Sequence, residues 1–230
     1  KINQAMTKKE QPFISIVGGL KADKLKSIRN LLTISDRVLL GGSIALFFLK
    51  VKGYAIGQSR IDTEGVEHSE QEIKELLKDS KLILPVDFTV ADRFSNDAKI
   101  THARVNNIPE SMMAIDIGPK TIELYKKHIA TSRTIIWNGP MGAFEIEQFA
   151  QGTREVAHAI ASVQATSIIG GGDSAAAVEK YALQQKMTHV ATGGGASLML
   201  LEGNKLPAIA ALEESYSRYR ATLSVTANAV

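Results

Sequence analysis

Ser167-Ile168-Ile169-Gly170-Gly171-Gly172-Asp173-Ser174-Ala175-Ala176-Ala177-Val178 is the stretch from which the fold can be read. A short Ile-rich run ends in three consecutive glycines, and a helical pattern follows at once. Glycine lets the backbone take positive φ and approach an anion closely, and the amides at the start of the next helix, with its dipole, point at the ligand. The same arrangement recurs at Trp137-Asn138-Gly139-Pro140-Met141-Gly142-Ala143-Phe144-Glu145 and at Thr192-Gly193-Gly194-Gly195-Ala196-Ser197. One such corner taken alone is more often a strand-to-helix turn without a ligand; three in succession, one of them holding an Asp, point to a phosphate site.

Working outward, short apolar runs rich in Ile and Val recur at Phe13–Val17, Arg37–Gly41, Leu82–Val86, Thr134–Trp137, Ser167–Gly170 and His189–Ala191. They are too short for helices and read as buried parallel strands. Helical patterns separate them at Asp23–Leu32, Ile44–Lys50, Ser69–Lys78, Thr121–Ile129, Gly152–Ala161, Ser174–Tyr181 and Ser197–Leu201. This alternation predicts an α/β fold: a doubly wound, Rossmann-like, mostly parallel sheet flanked by helices, with ligands at the carboxyl ends of the strands. Near residues 87–108 the rhythm breaks into alternating Phe88, Val90, Phe94, Ile100 and Val105, which predicts a small antiparallel excursion acting as a flap or wall.

Three segments are expected. Residues 1–10 carry Ile2 and Met6 at helical spacing and read as the remnant of an interdomain helix or linker; residues 11–212 form the ligand-binding domain; residues 213–230 form a tail, with Tyr216, Arg218, Tyr219 and Arg220 before a small-residue run. Of the 230 residues, 44% are hydrophobic and 22% charged, enough apolar material for a core. The net charge of +3 is mild, and no basic run is interleaved with aromatics as a nucleic-acid groove requires, so an anionic small molecule suits the chain better. Absence of cysteine excludes disulfides, thiolate catalysis and Cys-type metal sites. No apolar stretch reaches membrane-span length and no cleavable signal opens the chain; no membrane partner is expected, and a cytoplasmic location, with an organelle as the other option, follows. His68, His102, His128, His158 and His189 share no metal-ligand spacing, and Trp137 at a strand end reads as core.

Pro12 through Gly19, Asp116-Ile117-Gly118-Pro119-Lys120-Thr121, Trp137 through Glu145, Phe149-Ala150-Gln151-Gly152-Thr153, Gly170 through Ala176 and Thr192 through Leu198 together resemble the phosphoglycerate kinase family, motif by motif and in its order, from about Gln11 to Leu212. The resemblance covers that family's C-terminal, nucleotide-binding half. It implies a kinase of glycolysis: reversible phosphoryl transfer between 1,3-bisphosphoglycerate and ADP, giving 3-phosphoglycerate and ATP, with Mg2+. No counterpart is found to the family's opening Asp-Phe-Asn-Val-Pro segment or to the His and Arg motifs of its phosphoglycerate-binding domain. Phosphoglycerate is therefore expected only through an absent N-terminal domain, and this chain alone is expected to be an inactive monomer.

The resemblance implies residue roles. Lys21 and Lys24 would contact the transferring phosphates beside Gly18 and Gly19, where fixed ammonium charge and helix starts supply what phosphoryl transfer needs. Gly171, Gly194 and Gly195 would offer amides to the group in transfer, and Gly172 and Ser174 would sit on the phosphates. Asp173 would be the Mg2+ carboxylate; read without the family, it is equally an N-cap. Glu145 would bind the ribose, and Asn138, Gly139, Pro140 and Ala143 would line sugar and base. Gly42, Ser43, Ala114 and Ile115 would border the adenine, with Met112 and Met113 filling beneath it. Lys26 and Arg29 read as a solvated helix face.

This chain departs from the pattern in places. The loop Gly18-Gly19-Leu20-Lys21-Ala22-Asp23-Lys24 is one residue shorter than the family's Gly-Gly-Ala-Lys-x-x-Asp-Lys, enough to displace a side chain by up to ~3.5 Å. Ser43 and Ala114 stand where the family has glycine, and Arg60 stands near a position that is usually apolar against the base. Nucleotide binding is expected to survive. Two competing readings are a stand-alone ADP/ATP-binding module that engages a partner through its tail, and a dinucleotide oxidoreductase; the latter lacks a strand–Gly-x-Gly-x-x-Gly–helix unit followed by the acidic ribose residue.

Overall fold

A computed structural model describes residues 10–19, 24–62, 69–191 and 215–216. Along it run β1 (Phe13–Val17), α1 (Leu25–Ile34), β2 (Arg37–Leu40), α2 (Gly42–Val51), α3 (Glu70–Leu76), β3 (Leu82–Ile83), β4 (Asp87–Ala91), β5 (Ile100–Arg104), β6 (Met113–Ile117), α4 (Pro119–Ala130), β7 (Thr134–Asn138), α5 (Gln151–Ser162), β8 (Thr166–Gly170), α6 (Gly172–Lys180) and β9 (His189–Ala191). Among the described residues, no helix is long and apolar enough to cross a membrane.

Six strands form a sheet in the order β3-β2-β1-β7-β8-β9, parallel at every pairing. Strands β1 and β7 are buried at all their positions, which is why they read as unbroken apolar runs rather than alternating ones. One face is covered by α1, α2 and α3 through Leu25, Ile28, Phe47, Phe48 and Ile73 against Phe13, Val38 and Ile136. The other is covered by α4, α5 and α6 through Tyr125, Ile129, Val156, Ile160 and Val178 against Ile16, Leu39, Ile135 and Trp137. The doubly wound expectation therefore holds. The strand order reverses between β1 and β7, where such sheets open a crevice.

The register decides where the site lies. Val17 pairs with Leu40 and with Asn138, Asn138 with Gly170, and Gly170 with Ala191. Gly18, Gly41, Gly139 and Gly171, each one residue past its strand, thus stand level along one edge.

A second sheet, β5-β4-β6, is antiparallel. It extends the excursion expected at 87–108 to Ile117. Strand β6 escapes sequence reasoning because Asp116 sits inside it, buried, beside a Gly-Pro turn that reads as loop. The small sheet packs on α2 through Phe88, Val90 and Ala114 against Leu46 and Leu49. Asp87 fastens it to α4: its carboxylate accepts from the Lys120 and Thr121 amides at 3.0 and 2.8 Å, capping that helix from a neighbouring strand.

The helices after β2 and β8 begin earlier than predicted, at Gly42 and Gly172, because the glycine corner is itself the first helical turn. Strand β3 is shorter than the predicted Leu82–Val86 run, and Trp137 is fully buried as core. The predicted helix Ser197–Leu201 lies outside the described residues, as do residues 1–9 and all of the predicted tail except Ser215 and Tyr216.

Candidate functional site

At the switch point a cavity of about 440 Å³ opens, within the range usual for small-molecule sites. Its floor is a set of backbone crossings between corners. The Gly18 amide donates to Asn138 O at 2.9 Å, the Gly19 amide to Pro140 O at 2.8 Å, and the Ser43 amide to Gly19 O at 2.9 Å. Lys24 lies beneath them. Its ammonium donates to Gly18 O at 2.7 Å, to Asn138 Oδ1 at 2.8 Å and to Asn138 O at 3.4 Å. Gly139 has φ +94°, and a Cβ there would overlap Gly18 O and fall 2.7 Å from the Lys24 ammonium. The corner must be glycine both for its conformation and to leave room for that charge.

The start of α6 forms one end of the cavity. Its first intrahelical bond runs from the Ala175 amide to Gly171 O, so the amides of Gly172, Asp173 and Ser174 have no intrahelical acceptor. Asp173 is exposed and lines the cavity. The helix has Gly171 as its N-cap, with no side-chain capping bond, so Asp173 is not the cap that a motif-free reading allowed. Among the described residues no group of three or more acidic or His side chains could hold an ion by itself. One solvent-facing carboxylate beside free amides fits Mg2+ carried in with phosphate oxygens and waters.

Ser174 is placed differently from expectation. It is fully buried, and its hydroxyl accepts from the Gly139 amide at 2.6 Å. The side chain therefore fixes the neighbouring corner, and only its backbone faces the helix start. Asn138 is also buried, held by Lys24 and close under Gly171, where an added Cβ would meet its Nδ2 at 3.4 Å. It lies beside Lys24 beneath the cavity and is not among its lining residues, whereas the sequence reading sets it against sugar and base.

The opposite wall is apolar: Leu46 of α2, Phe88 of β4, Met113, Ala114 and Ile115 of β6, and Phe94, with Gly42, Ser43, Pro140 and Ala143 at the rim. Glu145 is exposed and lines the cavity. Phe94 is 57% exposed and stacks on Phe149 with ring centroids 5.9 Å apart, presenting an aromatic face at the mouth. The sequence reading places Phe94 only in the alternating excursion, since its position at the cavity mouth depends on the small sheet.

Asp116, also on the wall, went unrecognised. Its carboxylate accepts from the Gly152 amide at 2.6 Å and from the Ile117 amide at 2.9 Å. Burial pushes it up to about 7, outweighing those two bonds and the charge of Arg154. Cβ atoms on Gly142 or Gly152 would overlap the carboxylate, so both glycines exist to admit it. Asp116 joins β6, the α5 start and the Gly142 corner.

The structure thus brings Gly19, Gly42, Ser43, Ala114, Ile115, Pro140, Ala143, Glu145 and Asp173 onto one cavity, with Gly18, Lys24, Asn138, Gly139, Gly171, Gly172 and Ser174 beneath or beside it. Lys21, Gly194 and Gly195 lie outside the described residues.

Together the fold and this cavity define a doubly wound α/β domain with a cavity at the topological switch point. The family model described as phosphoglycerate kinase matches residues 1–204, and the chain belongs to that family. Among curated proteins it is similar to the phosphoglycerate kinase of Clostridium tetani, 47% identical over 215 residues covering 93% of this chain and 54% of the relative. The enzyme of Rubrobacter xylanophilus is 47% identical over 208 residues, 89% and 52% of the two chains. Among solved structures, the phosphoglycerate kinase of Coxiella burnetii has a TM-score of 0.86 at 42% identity, covering 93% of this chain and 56% of that one. That of Pyrococcus horikoshii has a TM-score of 0.82 at 35% identity. The chain spans about half the length of the curated relatives it matches.

Proposed function

We propose that this chain binds ADP or ATP with Mg2+ and serves as the nucleotide-holding part of a phosphoglycerate kinase, transferring a phosphoryl group between 1,3-bisphosphoglycerate and ADP. The observation that carries the reading is the level row of glycine corners at the switch point, with an apolar wall at one end and a helix start with Asp173 at the other. The base would lie against Ala114, Ile115 and Phe94, the ribose near Glu145, and the phosphates over Gly19 and the α6 amides. Asp173 would hold Mg2+, which when bound neutralises phosphate charge.

Within this reading the chain contributes position and charge. Lys24, donating to Gly18 O and Asn138 Oδ1, would hold its ammonium beneath the phosphates, and the amides at the α6 start would stabilise negative oxygens without reorganising. The phosphoglycerate site would lie on the part of the relatives that this chain does not match.

Calorimetric titration of the chain with Mg-ADP tests the reading. Saturable binding below millimolar concentration is expected, and none at millimolar would overturn it. Supplying a relative's phosphoglycerate-binding domain is expected to give ATP-dependent turnover.

A further inference from the structure

Arg60 is the one basic side chain among the described residues that line the cavity. Its backbone is fastened firmly. The Gln58 amide donates to Met112 O at 2.9 Å, Gly57 bridges Met113, the Ser59 hydroxyl accepts from the Ala114 amide at 2.8 Å, and the Ser43 hydroxyl donates to Arg60 O at 3.0 Å. Residue 60 is therefore set between the first turn of α2 and the start of β6. Helices α2 and α6 follow strands three places apart in the sheet, roughly 14 Å, so Arg60 stands at the end away from Asp173. That is the end where the proposed nucleotide places its base.

The guanidinium makes no hydrogen bond or ion pair within the described residues, and the wall beside it, Leu46, Met113, Ala114 and Ile115, offers no side-chain acceptor. Arginine carries only donors, in a planar fork. The edge of a 6-oxopurine, guanine or hypoxanthine, offers two adjacent acceptors, O6 and N7. Adenine offers N7 beside an amino donor, which opposes the fork.

We infer that Arg60 reads the purine edge and sets base selectivity, so that GDP and IDP bind this chain at least as well as ADP. The inference rests on the nucleotide-binding reading above and specifies its ligand class. In the bound state the Arg60 fork donates to O6 and N7, and the apolar wall takes the faces of the ring.

Calorimetry of the whole chain with the Mg2+ complexes of ADP, GDP and IDP, in the wild type, Arg60→Leu and Arg60→Lys, tests it. In the wild type, GDP and IDP should match or exceed ADP. Arg60→Leu should lose about tenfold or more for GDP and IDP, while ADP changes by less than about threefold. Arg60→Lys keeps the charge but not the fork and should lose most of the selectivity. A wild-type preference for ADP of tenfold or more, or equal losses for all three nucleotides in Arg60→Leu, would overturn the inference while leaving the nucleotide reading intact. Absence of binding by every nucleotide would overturn both.

Discussion

The ammonium of Lys24 lies 2.8 Å from Asn138 Oδ1, tying the residue that precedes α1 to the last residue of β7 across the switch point. The pair keeps a cation beneath the glycine corners. Replacing Lys24 with Met should lower Mg-ADP affinity by more than tenfold, with a smaller effect at high salt, because the lost contribution is electrostatic. A titration series across ionic strength measures both.

Asp173 makes no capping bond, so Asp173→Ala should leave the unfolding free energy within about 0.5 kcal/mol of wild type. Its effect should be on binding: ADP affinity falls in the presence of Mg2+ and changes little in EDTA. Equal losses in both conditions would assign the side chain to something other than the metal.

Ser174→Ala removes the acceptor of the buried Gly139 amide. Leaving that amide unsatisfied costs about 1–3 kcal/mol, and each kcal/mol lowers Tm by about 2–4 °C in a chain of this size. Denaturant unfolding of the variant gives the value.

Asp116 supplies a pH dependence. Its carboxyl is raised from 3.8 to about 7 in the folded chain, so the folded state holds a proton that the unfolded state has released across that window. The contribution to stability is complete below the ordinary carboxylate range and is lost as pH rises towards 7, with a slope of up to about 1.4 kcal/mol per pH unit. Asp116→Asn, which cannot ionise, should flatten the profile between pH 4 and 7 in parallel urea titrations.

Much of the architecture was legible from residues because parallel strands buried on both faces advertise themselves: Phe13–Val17 and Thr134–Asn138 are apolar or small at nearly every position. The glycine corners were legible because level strand ends require them. What escaped was polar groups used internally. Asp116 inside β6 and Ser174 under Gly139 have the composition of turn and ligand residues, and only tertiary neighbours such as Gly142, Gly152 and Gly139 reveal that their partners are backbone amides. Phe94 was hidden for the opposite reason: an aromatic in a polar loop becomes part of a wall only when β4 and β6 bring it to the cavity mouth.

The four glycines level with one another each belong to a different strand, and the pairing of β2, β1, β7 and β8 is all that aligns them. A slip of one residue at any seam would carry one corner about 3.3 Å out of line and turn its strand's core residues outward. Ligand affinity is therefore a readout of global folding cooperativity. No single βα unit can bind alone, and an occupied site would slow hydrogen exchange in the central strands together rather than one at a time.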